Sequence, residues 1–183
     1  MRRRSFLTSA ASLAPVLAMR SALAAEEPAP APRIVGAGQD CFNQPHPTGF
    51  SSLLFKLPGA DTGDRVFLIE HKDLLPGGPP LHRHLYQDEW FFVIDGHVAF
   101  QVGDQRIELR SGESALAPRR IPHTFSSIAS APGHMLIAFS PAGKMEQYFH
   151  DNADGRHNAS DPVATFAKYD MEYLGPSPFH KSA

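Results

Sequence analysis

The chain has 183 residues, 42% of them apolar, which is enough for one sizeable core and too few for two ordinary domains. A formal charge of −2 leaves no basic footprint for nucleic acid or anionic lipid, so those partners are set aside. Cys41 is the only cysteine, which excludes an internal disulfide and a multi-thiolate metal site.

In chain order, Met1-Arg2-Arg3-Arg4-Ser5-Phe6-Leu7-Thr8 sets paired arginines before a short apolar stretch that ends at Ala22-Leu23-Ala24. This reads as a twin-arginine export signal over 1–24 and places the mature protein in the periplasm or outside the cell. A basic N-terminus without that role is the plainer alternative. The run from Phe6 to Met19 falls short of the ~20 apolar residues that a spanning helix needs, so no stable membrane insertion is expected after cleavage. Cleavage removes four arginines and no acid, leaving 13 basic against 19 acidic residues and a formal charge of −6. Residues 25–47, with Glu27-Pro28-Ala29-Pro30-Ala31-Pro32, have the composition of an extended linker whose end is pinned to the core.

From Phe50 to Phe139, short apolar runs alternate with turn residues: Ser52 to Leu57, Arg65 to His71, Glu89 to Asp95, His97 to Val102, Gln105 to Leu109, Ser114 to Ala117, His123 to Ser127 and Met135 to Phe139. That spacing predicts an all-β sandwich or barrel over 48–140. Asp95-Gly96 predicts a two-residue hairpin pairing Val93 with Val98, Phe91 with Phe100 and Glu89 with Val102. Those six residues then share one face, and Trp90, Phe92, Ile94, His97, Ala99 and Gln101 share the other. The Trp90 face should meet a helix, a second layer or another subunit. The extension over 141–183 predicts two helices. One is capped at Ser140-Pro141 and carries Met145, Tyr148 and Phe149; the other runs from Ser160-Asp161-Pro162 to Gly175-Pro176 with Val163, Phe166, Ala167, Met171 and Leu174 as its stripe.

Within this β pattern, His82 and His84 are two apart, so both imidazoles leave one face of a strand. Glu89 lies an odd number of residues beyond His84, so the chain must bend before the carboxylate can aim at the same point, with Asp88 facing away. His123 follows a rigid approach set by Pro118 and Pro122. A lone histidine in a β protein is usually solvated or hydrogen-bonded, but three imidazoles and a carboxylate at these spacings can hold one divalent ion. The set suits Mn, Fe, Co, Ni, Cu or Zn, with intrinsic affinity favouring Cu or Zn over Mn and Fe. None of the other seven histidines is assigned to the metal.

These residues resemble the cupins. His82-x-His84-x4-Glu89-x6-Gly96 matches the later positions of the family's first motif, with Pro76 and Gly77 where its leading glycine falls. Gly112, Pro118 and His123 match the second motif, in which Arg120 replaces a glycine and Ser127 an asparagine. The resemblance implies a double-stranded β-helix barrel with C-terminal helices, usually a homodimer, with the metal held by His82, His84, Glu89 and His123. The ending looks like that of small cupins related to quercetin dioxygenase, which implies a metal-dependent dioxygenase acting on a small enol or phenol, with Glu89 taking the substrate's proton. Phe91 and Phe100 would then give an apolar wall for a flat substrate, or simply barrel core. A non-catalytic metal or small-ligand binding protein and a cupin isomerase are the other expectations, because fold alone does not settle function.

Overall fold

The protein is described by a computed structural model over residues 31–44, 46–152 and 161–179. The expected export signal, linker residues 25–30 and Ser160 lie outside the described residues. Every element falls within the unit Pro32–Ala183.

Eleven strands are described: β1 (His46–Thr48), β2 (Ser51–Leu57), β3 (Phe67–Leu74), β4 (Leu81–His84), β5 (Asp88–Asp95), β6 (His97–Val102), β7 (Gln105–Arg110), β8 (Ser114–Ala117), β9 (His123–Ser127), β10 (Gly133–Ser140) and β11 (Met171–Gly175). The helices α1 (Met145–Asp151) and α2 (Pro162–Lys168) precede β11. One sheet has the order β1-β2-β3-β10-β5-β8 and the other β11-β4-β9-β6-β7. The two sheets form an all-β jelly-roll barrel whose interior is the core.

Strand alternation explains which side chains enter that interior. On β10, Met135, Ile137 and Phe139 are buried, while Leu136 and Ala138 between them are half-buried on the outer face. Register sets Ile137 beside Ile69 and Phe91, and Phe139 beside Phe67 and Glu89. The opposite sheet answers with Val98, Phe100 and Phe125. Each such apolar side chain contributes ~1.5–3 kcal/mol when fully buried. Edge-on aromatic packing adds to this, as in Phe55 against Phe67 at 5.0 Å and 87°.

Asp95-Gly96 does not close a hairpin. β5 pairs with β8 and β10, β6 pairs with β7 and β9, and the turn carries the chain from one sheet to the other. The inward and outward faces are nevertheless as alternation required. Phe91 and Phe100 meet across the barrel at 5.0 Å, and Trp90 and Ile94 point out. The second C-terminal helix is also shorter than its apolar stripe predicted. It ends at Lys168, and Met171 to Gly175 instead form β11 on the edge of β4. Asp161 caps α2 by accepting from the Ala164 amide at 3.0 Å, and Pro162 occupies the first turn. The first helix begins at Met145, after Ser140-Pro141 has ended β10. The end of the linker is tied down where Asp40 accepts from the Phe42 and Phe55 amides at 2.7 and 2.6 Å. Among the described residues no helix is long and apolar enough to cross a membrane.

A strap of residues 75–80 joins β3 to β4 and crosses over β9. The Gly77 amide donates to Ser126 Oγ at 3.0 Å, Ser177 Oγ donates to the Gly77 carbonyl at 2.9 Å, and Thr124 Oγ1 donates to the Pro79 carbonyl at 2.7 Å. Gly78 has φ +72°, and a Cβ there would lie 1.7 Å from the Phe125 carbonyl oxygen. Neither the conformation nor the contact admits a side chain. Gly78→Ala is expected to cost about 3 kcal/mol and to lower the melting temperature by roughly 6–12 °C. A thermal scan showing no change would mean that the strap is not held against β9.

Candidate metal centre

His82 and His123 face each other directly in the β4–β9 ladder, and His84 follows one alternation later on β4. Glu89 comes from the other sheet, at the start of β5, and closes the group from across the barrel. The four offer ligand atoms within 4.8 Å of one another, and their exposures are 7%, 1%, 4% and 2% for His82, His84, Glu89 and His123.

The bend from His84 to Glu89 is stabilised from several sides. Leu85 N–H donates to the Asp170 carbonyl at 2.9 Å, and Arg120 N–H donates to the His84 carbonyl at 2.7 Å. Gln87 is buried against Gly143, where a Cβ would come within 1.9 Å of the Gln87 amide nitrogen. Asp88 faces outward, as alternation required, and accepts from the Arg119 amide and guanidinium at 2.8, 3.0 and 2.7 Å. Those bonds draw its carboxyl down to about 2 and fix the loop that delivers His123. Arg120 adopts φ +68°, a left-handed conformation that favours glycine, at the position where the cupin motif carries one.

Hydrogen bonding sets the tautomers. His82 Nδ1–H donates to the Pro80 carbonyl at 2.8 Å and His123 Nδ1–H to the Ile121 carbonyl at 2.9 Å, so both turn Nε2 toward the centre. Glu89 Oε2 lies 2.7 Å from His123 Nε2 and 3.0 Å from His84 Nε2. Because His123 Nδ1–H is committed to Ile121, its Nε2 faces the Glu89 carboxylate at 2.7 Å only across a cation, either a second ring proton or a divalent ion held by all four side chains. The donor set therefore fits a transition metal. His84 Nδ1 is buried without a hydrogen-bond partner among the described residues.

The charges respond to this enclosure. Burial opposes ionisation of Glu89, but hydrogen bonds from His123 and His84 outweigh it and hold the carboxyl well below its ordinary range. Burial pushes His82 and His84 down, and for both the neighbouring His123 acts in the same direction.

The centre opens on a cavity of about 330 Å³, within the size range of small-molecule pockets. His82, His84 and Glu89 stand at one part of its wall, and Phe50, Phe125, Phe139, Phe149, Phe166 and Met171 supply most of the apolar remainder. No lysine or arginine lines it among the described residues. Phe91 and Phe100 do not form this wall. They share the inward side with Glu89 but lie deeper, behind Phe125, at 5.7 and 5.9 Å from its ring. The aromatic wall comes instead from β9, β10 and the C-terminal helices, brought in by long-range packing that strand patterning does not reveal. His71, on the cavity wall, was legible as a polar residue on the Phe67-x-Ile69-x-His71 inward alternation.

Residues 71–139 match the family model of the cupin domain. This match and the two-sheet barrel support the cupin superfamily. The uncharacterized protein MJ1618 of Methanocaldococcus jannaschii is 22% identical over 74 residues, which are 40% of this chain and 55% of that relative, so the chain spans about half the length of the curated relative. Among solved structures, KdgF from Halomonas sp. is 18% identical, covering 49% of this chain and 77% of its own, with a TM-score of 0.43. An RmlC-like cupin from Shewanella frigidimarina is 17% identical over 56% and 87% of the two chains, at 0.47. A cupin-superfamily sugar phosphate isomerase from Silicibacter pomeroyi is 23% identical over 49% and 58%, at 0.42.

His71 is buried at the cavity wall, and burial lowers its imidazole from the ordinary 6.5 to about 3. Below pH 6.5 the unfolded chain takes up this proton and the folded chain does not, so stability falls as pH falls, by about 1.4 kcal/mol per pH unit for each such group. His82 and His84, also lowered, act with the same sign. In chelator-containing buffer the melting temperature is expected to drop steadily from pH 6.5 toward pH 4. A flat profile across that window would mean that these imidazoles are not buried in the neutral form.

Proposed function

We propose that the protein is an exported, metal-dependent cupin dioxygenase of quercetin-dioxygenase type, acting on a small enol or phenol. The observation that carries this reading is a four-donor centre opening directly on an apolar, aromatic cavity that no lysine or arginine lines among the described residues. Such a wall suits a flat, weakly polar substrate and, away from the metal position, offers no counter-ion among the described residues to a phosphorylated or carboxylated one. His82, His84, Glu89 and His123 would hold a divalent transition ion, which when bound would supply a Lewis-acid centre beside the substrate.

The chain's own residues do the rest. The Pro80 and Ile121 carbonyls fix the His82 and His123 rings, so the donors are preorganised before anything binds. Phe125, Phe139 and Phe166 exclude water from the substrate's path and hold a planar molecule by its faces. Glu89, which reaches the cavity, is the base for the substrate hydroxyl proton. Its hydrogen bonds keep it ionised, which makes it ready to accept but a weak base, so departure from His123 or His84 accompanies proton uptake. Export rests on the paired arginines before the 6–19 apolar run, and a twin-arginine route would carry the protein out already folded.

The same reading makes the protein a homodimer. Trp90 and Ile94 are each 37% exposed and Leu116 54%, forming an outward apolar strip on β5 and β8 that a second copy would cover. Equilibrium sedimentation at micromolar concentration should return twice the chain mass, and a clean monomer would remove this part of the proposal. For the activity, protein recovered from its native host should carry about one transition ion per chain and consume dioxygen with a flavonol. Glu89→Gln should lose at least ~100-fold in turnover, the lower range for a general base. Metal-loaded protein that takes up no oxygen with flavonols or simple enediols would leave a binding protein as the better description.

A further inference from the structure

We propose that His71 forms a second polar subsite in the same cavity, recognising a hydroxyl or carbonyl group on the end of an apolar, two-ring-sized ligand remote from the metal centre. The far end of that ligand is assigned independently; its other end rests on the metal-anchored reading above.

His71 lies on the inward face of β3 and is 2% exposed. Its Nδ1 is 2.8 Å from Ser51 Oγ, and Ser51 Oγ is itself 3.0 Å from Thr48 Oγ1. The ring is stacked against Phe50 at 6.2 Å and 15° and meets Phe125 edge-on at 5.7 Å and 89°. These contacts lock the imidazole on its Nδ1 side. Nε2 takes no hydrogen bond among the described residues and is not sealed off, and the residue lines the cavity. Nε2 thus presents an unpaired ring nitrogen to the cavity, where a ligand atom can take the place of water. Since the Ser51 hydroxyl can either donate or accept, Nε2 can accept from a ligand hydroxyl or donate to a carbonyl. Burial keeps the imidazole neutral, with its ionisation lowered to about 3, so it selects an uncharged polar group rather than an anion.

Register sets the direction of the separation: Glu89 stands opposite Phe139, which stands opposite Phe67, and His71 is four residues, about 13 Å of strand, farther along β3 than Phe67. The Glu89 charge still reaches the His71 ring, so the two poles share one cavity. Ile137, Phe139 and Phe125 also line it, with no lysine or arginine among the described residues. A ligand that reaches both poles is therefore flat and apolar in its middle, with oxygen at each end.

The test uses two probes that differ only at the remote end: 3-hydroxyflavone and 3,4'-dihydroxyflavone, titrated by absorbance into the full chain loaded with zinc, which has no redox chemistry. Wild type should bind the dihydroxy probe about fivefold or more tightly. His71→Gln, which keeps a polar atom on the cavity side, should retain the preference, and His71→Phe should lose it. Should His71→Phe fail to fold, the ring nitrogens of His71 in ¹⁵N-labelled wild type serve instead, shifting with the dihydroxy probe and not with the other. Equal binding of the two probes to the zinc form, or a preference that survives in His71→Phe, overturns the subsite and leaves the metal anchor standing. Affinities for both probes that stay unchanged when zinc is removed, with the His71-dependent preference intact, support the subsite and overturn the metal anchor. Binding of neither probe overturns both.

Discussion

The barrel interior is organised around one carboxylate oxygen, Glu89 Oε2, lying 3.0 Å from the His84 imidazole and 2.7 Å from that of His123. Taking a carboxylate out of water costs several kcal/mol even after relaxation, and an unpaired one would be protonated or expelled. Here the two imidazoles compensate, and the balance keeps Glu89 ionised although it is only 4% exposed. The imidazoles belong to one sheet and the carboxylate to the other, so the interaction also joins the two layers of the barrel. A site this buried strengthens the charge interactions inside it, which is why a cation at its centre matters more than the same cation would at a surface.

That arrangement dictates much of the surrounding irregular structure. A strand leaving His84 must cross between sheets within four residues to present Glu89, and no regular element does this. The crossing is held by the Leu85 and Arg120 amides, by Gln87 packed into the space that Gly143 leaves open, and by Asp88 clamping Arg119. Arg120 pays a conformational cost at φ +68° so that its amide can reach the His84 carbonyl at 2.7 Å. The strap performs the same service for His82, bringing the Pro80 carbonyl within 2.8 Å of Nδ1 while Gly78 passes directly over Phe125. Local strain and tight loops thus gather around the ligands, and the sheets themselves stay regular.

This division explains what was legible in the chain. Spacing picked out the four side chains that the barrel brings together because strand alternation is local: His82 and His84 must share a face, and Asp88 and Glu89 must oppose each other. Alternation also assigned the inner and outer sides of β5 and β6 correctly while mistaking their pairing. Asp95-Gly96 has the chemistry of a tight turn, but a turn does not say whether the next strand lies alongside or in the facing sheet. Phe166, Met171 and Leu174 fit a helical stripe, yet β4 would otherwise have an unpaired edge, and β11 satisfies it. The cavity wall was the least legible part. Phe125, Phe139, Phe149 and Phe166 are far apart in sequence, and only the closed barrel tells which aromatic faces the cavity and which, like Phe91 and Phe100, fills the space behind.

The contrast between the two ends of the cavity bears on what the centre can do. Donor identity alone admits a broad range of metals and reactions, since three imidazoles and a carboxylate can serve oxidation, isomerisation or storage. A cavity for sugars or phosphorylated ligands would carry several hydrogen-bonding groups along its length, with a cation for the phosphate. This one has an ionic cluster, a neutral imidazole backed by Ser51 and Thr48, and a wall made mostly of phenylalanine, isoleucine and methionine, with Tyr148 among the few other polar side chains on it. Such a wall gives few partners to a hydroxylated chain, and each polar group left unpaired costs ~1–3 kcal/mol. On the proposed reading, specificity is therefore exerted by exclusion along the wall as much as by attraction at the ends, and the molecule that fits presents π-faces to the phenylalanines and carries its oxygens at the ends.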